Sequence, residues 1–395
     1  MTTAETGRDK ELFLETGCTS LNKYGEELCG DNVTSSVRDG WTTLVLADGM
    51  GSGVKANILS TLTSKILCTM ASNDIDMIEC VETVIQTLPV CRVRGVAYST
   101  FSLIHVNQQG EGYLFEFDNP QAIFFHRGRC SDFERTELEI CGNKVYKSDL
   151  RLEEDDAIMV MSDGTIHAGI GMILNFGWER PQIMKYMDEN ARPGMSARAL
   201  ACLLAAACND LYLDKPGDDT TVAAVKIRRR ADVDIMVGPP VDKEKDDFYV
   251  SRFLEGDSLK IVCGGTSSQI VARHLGTELR TSFDFPDREV PPIGFIKGID
   301  LTTEGVLTLR RLLDLSEKYL SIHDLTPKTF TKTDGASRLA DFLFEKATHI
   351  RFFVGQSVNV AHQGLPIDTT MKLKLVEKIA ENLRAMGKQV ELLYD

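Results

Sequence analysis

Two apolar runs in this chain break off on the same dipeptide. Residues 42–48 read TTLVLAD and residues 158–163 read IMVMSD, and a glycine follows each acid, at Gly49 and Gly164. Short apolar runs bounded by turn residues read as buried strands. Each acid therefore stands where a strand leaves a core, and the following glycine leaves its carbonyl accessible. Two further acidic turns accompany them: Gly30-Asp31 in CGDN, and Asp218-Asp219 in GDDTTVAAV, which opens a third apolar run. Asp-Gly alone is an ordinary turn. Four carboxylates converging on strand ends would repel one another unless cations sat among them. Oxygen ligands suit hard divalent cations, Mg²⁺ or Mn²⁺. Two such ions about 3.5–4 Å apart activate a water and clamp a phosphoryl group.

DGMGSG (48–53) also looks like a phosphate-cradling glycine loop. It is not GxGxxG, because Val54 stands where the last glycine belongs, and its spacing is not that of a P-loop.

The first half of the chain strings short strands between separate helical blocks. Strand-like runs cover 41–47, 98–106, 112–117, 122–126, 157–161 and 220–227, and helical patterns cover 54–70, 75–88, 179–189 and 196–213. In the first helix the apolar spacing is carried by Ile58, Leu62 and Ile66. Such grouping predicts α+β. The second half alternates: strands at 259–263, 293–299, 349–354 and 389–393, helices at 269–275, 303–319, 337–346 and 371–386. That rhythm predicts a smaller three-layer α/β domain with a mainly parallel sheet. Between the halves, RRRADVDIMVGPPVDKEKDD (228–247) reads as a solvated linker. The expected division is 1–230, a linker at 231–247, and 248–395.

The chain has 395 residues and a net charge of −14. An acidic balance disfavours nucleic acid and anionic membranes as partners. The ten cysteines form no CxxC and no zinc-finger spacing, so they read as reduced thiols of a cytoplasmic protein. The polar start MTTAETGRDK shows no signal peptide, and no apolar run is long enough to span a membrane.

The segments NKYGEELCGD (22–31), LADGMGSGVKA (46–56), STFSLIHV (99–106), MSDGTIHAG (161–169) and DDTTV (218–222) carry a resemblance. Residues 11 to about 227 resemble the metal-dependent protein serine/threonine phosphatases of the protein phosphatase 2C type, in the bacterial branch named for stage II sporulation protein E. The resemblance implies an antiparallel β-sandwich flanked by helices, α-β-β-α. It implies two divalent cations, Mn²⁺ or Mg²⁺, with Asp48 shared by both, the Gly49 carbonyl on one, and Asp163 and Asp218 completing the other. Asp31 would hold metal-bound waters, and Lys23 would bind the substrate phosphate. Water between the ions would attack phosphoserine or phosphothreonine directly, without a phosphoenzyme. The partner implied is a phosphoprotein substrate of the anti-sigma-antagonist kind.

There are departures. Met50 stands where the eukaryotic enzymes carry a histidine able to protonate the leaving group. His167 stands where some relatives carry an acid for a third metal, and reads as a loop histidine. Asp219 reads as structural. In the sporulation branch the helices after DGMGSG, here 54–89, are associated with switching of metal occupancy.

In the second half, IVCGGTSSQIVARHLG (261–276) reads as strand, glycine turn and helix. Backbone amides at such a helix start attract anions, which makes Gly264, Gly265 and Thr266 a candidate anion site. His362, in the loop after the 349–354 strand, is a candidate ligand contact. This half is expected to be regulatory or ligand-binding. A non-catalytic phosphoprotein scaffold and a small-molecule phosphatase remain alternatives, and the sequence is compatible with a homo-oligomer.

Overall fold

The computed structural model describes residues 11–73, 75–87, 99–282, 291–321, 334–357 and 367–395. His362 and Cys91 lie outside them. The chain divides into two compact units, Met1–Arg229 and Arg230–Asp395.

In the N-terminal unit the order is β1 (Leu12–Leu21), β2 (Asp31–Arg38), β3 (Trp41–Gly49), α1 (Gly53–Ala71), α2 (Met77–Thr87), β4 (Ser99–Asn107) and β5 (Glu111–Phe117). It continues with β6 (Ile123–His126), β7 (Arg129–Ser131), β8 (Thr136–Ile140), β9 (Asn143–Arg151), β10 (Ala157–Met161), α3 (Asp163–Ile166), α4 (Arg180–Asn190), α5 (Ala197–Leu211) and β11 (Thr220–Arg229). The strands form two antiparallel sheets, ordered β2-β3-β4-β5-β9-β8 and β1-β11-β10-β6-β7. Side chains alternate across each strand, so each sheet has two distinct faces. Leu44, Leu46, Ile104 and Leu114 of the first sheet meet Leu14, Ile158, Val160 and Val225 of the second. The alternate residues Val45, Ala47, Phe101 and Leu103 pack against Leu67, Val81 and Val84 of α1 and α2. Helix α5 covers β1 and β11 on the other side. The expected α-β-β-α sandwich is present.

Two strands have sequences that hid them. β1 buries Glu15, whose carboxylate accepts from the Ala197 amide at 2.9 Å and pairs with Arg228 at 3.1 Å. β2 is rich in Ser and Thr, and Thr34 shares a hydrogen bond with Ser64 of α1 at 2.9 Å. Polar residues satisfied across a layer break the apolar pattern. The same close packing corrects the face of α1. Ile58 and Leu62 are half exposed, and the buried face is Ala56, Leu59, Thr63 and Leu67.

β2 and β3 are joined by Asp39-Gly40, with φ of 50° and 80°. Two successive positive φ values define the hairpin turn whose twist matches that of paired strands. The register counts back from Arg38↔Trp41 to Asp31↔Asp48.

In the C-terminal unit the order is β12 (Asp232–Val237), α6 (Asp246–Leu254), β13 (Leu259–Cys263), α7 (Gly265–His274), β14 (Arg280–Thr281), β15 (Gly294–Phe295) and β16 (Leu301–Thr303). Then come α8 (Val306–Leu320), α9 (Gly335–Ala340), β17 (His349–Val354), α10 (Ile367–Ala385) and β18 (Gln389–Tyr394). The sheet order is β14-β15-β16-β13-β12-β17-β18. Strands β16, β13, β12, β17 and β18 are parallel, and β14 and β15 add an antiparallel edge. Helices α8, α9 and α10 pack on one face and α6 and α7 on the other. This is a doubly wound three-layer sheet.

The linker expected at 231–247 is corrected here: Asp232–Val237 is an interior strand of this sheet, hydrogen-bonded to β13 and β17. Pro239-Pro240 and the charges on either side made the run look solvated, yet it carries a buried Asp234. That carboxylate is fully buried, held by Lys260 at 2.8 Å and by Arg351 at 2.7 Å. The strand expected at 293–299 shrinks to Gly294–Phe295, because the chain turns at Ile296–Ile299 and the ladder to β13 is made by β16. The helix expected at 337–346 starts at Gly335 and widens into a π-helical turn over Asp341–Lys346. Among the described residues no helix is long and apolar enough to cross a membrane.

Candidate metal centre

The ends of both sheets of the sandwich meet at one place. Asp31 opens β2 and lies opposite Asp48 near the end of β3. Asp163 follows β10 and begins the single-turn α3, and Asp218-Asp219 precede β11. Strands β10 and β11 are paired, and their ends are tied by the Thr221 amide donating to the Ser162 hydroxyl at 2.8 Å.

Glycine makes the approach of these ends possible. A Cβ on Gly49 would lie 2.1 Å from the Ala56 carbonyl oxygen, and one on Gly164 would lie 2.1 Å from that of Asp219. Both contacts are with backbone, which cannot swing aside as a side chain can.

The acids are buried and crowded. Asp31 is 4% exposed, and neither carboxylate oxygen has a hydrogen-bond partner. Burial pushes its pKa up to about 7, partly offset by the nearby Ser162 and Thr221 hydroxyls, with Asp219 and Asp163 adding repulsion. Asp48 is pushed up to about 9, first by burial and then by the charges of Asp31, Asp163 and Asp218. Asp163 is raised by burial and by Asp218, with His167 acting against the rise. The positive groups at the rim are few. Lys23 Nζ lies 3.5 Å from Asp218 Oδ1, with both side chains over a third exposed. His167 Nδ1 lies 3.8 Å from Asp163 Oδ2.

Asp163, His167 and Asp218 each offer a ligand atom, and these atoms lie within 4.8 Å of one another. Unpartnered buried carboxylate oxygens beside them supply the remaining donors. A mainly oxygen set with one imidazole, short of positive charge, fits divalent cations. Burial first and the mutual repulsion of the acids second raise these pKa values, so the protein alone does not stabilise the groups as anions.

The structure thus brings Asp31, Asp48, Gly49, Asp163, Asp218 and Lys23 together. Two residues read as bystanders join them. His167 reaches the cluster because it lies four residues after Asp163, one helical turn away, so the SDGTIH spacing carried the signal. Asp219 anchors the loop, accepting the Lys23 amide at 3.0 Å. Gly264, Gly265 and Thr266 belong to the other unit, at the start of α7.

Residues 38–228 match the family described as Stage II sporulation protein E (SpoIIE). Among solved structures, similarity is found to the PP2C phosphatase domain with a regulatory-domain fragment of the cell fate determinant SpoIIE from Bacillus subtilis. The identity is 22% and the TM-score 0.48, over 56% of this chain and 64% of that one. The RsbU and RsbW domains of a Mycobacterium tuberculosis protein are 16% identical, with a TM-score of 0.47, over 61% of this chain and 69% of that one. RsbX in complex with magnesium is 19% identical, with a TM-score of 0.40, over 54% of this chain and 95% of that one. No curated protein matches. The matched residues lie inside Met1–Arg229, so this similarity belongs to the N-terminal unit.

Proposed function

We propose that the N-terminal unit is a metal-dependent protein phosphatase that hydrolyses phosphoserine and phosphothreonine. The observation that carries this reading is the set of buried carboxylates without countercharge at the junction of the two sheets. Asp48, flanked by Asp31 and Asp163, would be shared by two Mn²⁺ or Mg²⁺ ions, with the Gly49 carbonyl on one and Asp163 and Asp218 on the other. Asp31 would orient water, its two free oxygens being acceptors. When bound, the ions supply an activated water and neutralise phosphoryl charge.

The chain's own residues do the rest. The rigid strand ends fix the carboxylates, so little reorganisation is needed as charge develops. Lys23, held at the rim by its backbone bond to Asp219, can leave Asp218 for a substrate phosphate without moving its Cα. Met50 has no proton to give, so the leaving alkoxide takes its proton from water. Hydrolysis is a single displacement by water, and no side chain carries the phosphoryl group.

The proposed substrate is a phosphoprotein of the anti-sigma-antagonist kind, and the proposed compartment is the cytoplasm. The buried Cys68, Cys80, Cys208 and Cys263 are free thiols, in keeping with a reducing compartment. The test is hydrolysis of a phosphopeptide panel and of small phosphate esters with Mn²⁺ and with EDTA. Release of phosphate from phosphoserine peptides with Mn²⁺ alone is expected. No release, or release only from small esters, would refute the reading.

A further inference from the structure

The C-terminal unit contains a cavity of about 410 Å³ that the proposed hydrolysis does not use. It opens at the carboxyl ends of β12, β13 and β16, where Val237, Cys263 and Glu304 line it. That edge is where open α/β sheets hold ligands, and the volume suits a compact small molecule.

Two helices begin at this mouth, α7 after Gly264 and α8 after Gly305. The two glycines touch: a Cβ on Gly305 would lie 3.4 Å from the Gly264 Cα. Their termini differ. The Glu304 carboxylate accepts the Leu307 amide at 3.0 Å, so α8 carries its own anion. Helix α7 has no acid in its first turn. Its first amide with a carbonyl behind it is that of Ser268, which donates to Gly264 at 2.9 Å. The amides of Gly265, Thr266 and Ser267 precede it, at the positive end of the helix dipole.

A second observation points to a ligand there. Ser267 lines the cavity, is 1% exposed, and its hydroxyl has no hydrogen-bond partner. A buried hydroxyl without a partner is costly, so native proteins seldom leave one. Asp246 lines the same cavity. One of its oxygens holds Arg273 at 2.9 Å, and the other is buried and unpartnered. The walls are therefore divided. An anion site lies at α7, an acceptor for a hydroxyl or amine lies at Asp246, and Pro239, Ile270, Val306 and Leu309 offer apolar surface.

We propose that this cavity binds a small organic phosphate of about mononucleotide size. Its phosphate sits on the start of α7 and the Ser267 hydroxyl. Its hydroxylated body rests against Asp246 and the apolar wall.

The test is calorimetry on the full-length protein in EDTA, so that no divalent ion in the other unit holds or hydrolyses the probe. The probes are AMP, glucose 6-phosphate and inorganic phosphate. At least one organic phosphate is expected to bind ~10-fold or more tightly than inorganic phosphate. Gly265→Asp tests the location. A Cβ there meets nothing within 4 Å, and an acid at a helix start favours the fold while repelling an anion. It should weaken the organic phosphate ~10-fold or more, with circular dichroism unchanged. Ser267→Ala should weaken it ~3-fold or more without lowering the melting temperature. No binding by any probe, equal affinity for inorganic phosphate, or parental affinity in Gly265→Asp would overturn the proposal.

Discussion

The two units each bury an aspartate on or beside a strand, and they treat it in opposite ways. Asp234 in β12 is fully buried, yet Lys260, Arg351 and Ser258 surround it. Burial would raise its pKa, but those partners outweigh burial and hold it below the ordinary carboxylate value. Asp31 and Asp48 are buried beside other acids, and their pKa values rise to about 7 and about 9. A buried charge with its partners built in is architecture. A buried charge without them keeps its proton more tightly, because nothing nearby in the chain balances the anion.

Removing a carboxylate from each place is the sharpest way to break this contrast. Asp48→Asn should reduce Mn²⁺-dependent hydrolysis of para-nitrophenyl phosphate by ~100-fold or more, the scale of lost metal-site electrostatics. The metal-free variant should melt no lower than the parent, since a crowded acid is gone. Activity within a few-fold of the parent would end the two-ion assignment, and Asp219→Asn should be milder.

Asp234→Ala should do the reverse. It strands Lys260 inside the sheet, and breaking a buried pair costs about 3–5 kcal/mol. Hydrogen exchange of β12 and β17 should accelerate by ~100-fold or more. Unchanged protection would mean that Lys260 is satisfied by the Phe253 and Glu255 carbonyls alone, each 2.7 Å away.

The pH responses should also oppose. Asp31 and Asp48 hold protons more tightly in the folded state. The metal-free N-terminal unit should therefore lose stability as pH rises from the ordinary carboxylate value of about 4 towards 9. A cation must displace those protons, so Mg²⁺ affinity should be ~10-fold or more weaker at pH 6 than at pH 8.5. Asp234 has a lowered pKa, so its contribution is complete above about 4 and is lost as pH falls further. Magnesium titrations at the two pH values, with melting curves from pH 3 to 9, read both signs. A flat Mg²⁺ affinity would contradict the raised pKa values.

The smallest effect belongs to the rim. Lys23→Ala removes a half-exposed cation and should raise KM a few-fold with kcat nearly kept, as expected for a group that binds substrate and transition state alike. A loss confined to kcat would place Lys23 in the chemistry instead.

The same contrast explains what the sequence made legible. Asp48 and Asp163 stand out because each ends an apolar run at a turn, and Asp218 because it opens one. Strand and helix grouping gives α+β, and the α-β-β-α layering comes from the family resemblance. Strands β1, β2 and β12 escaped because Glu15, Thr34 and Asp234 are buried polar residues satisfied from another element, and no local pattern records a partner that is distant in the chain. His167 was visible but ambiguous. Its spacing from Asp163 has meaning only once a helical turn is known to begin at that acid.

The Asp39-Gly40 turn works as a ruler. From its first rung, Arg38 against Trp41, the ladder counts eight pairs to Asp31 against Asp48. Side chains alternate with a period of two, so adding one residue to the turn would move every β2 side chain to the opposite face. Asp31 would then point away from Asp48, although nothing near either acid had changed. The distance between two charges at one end of the sandwich is in this sense written at the other end, in the length of a two-residue loop.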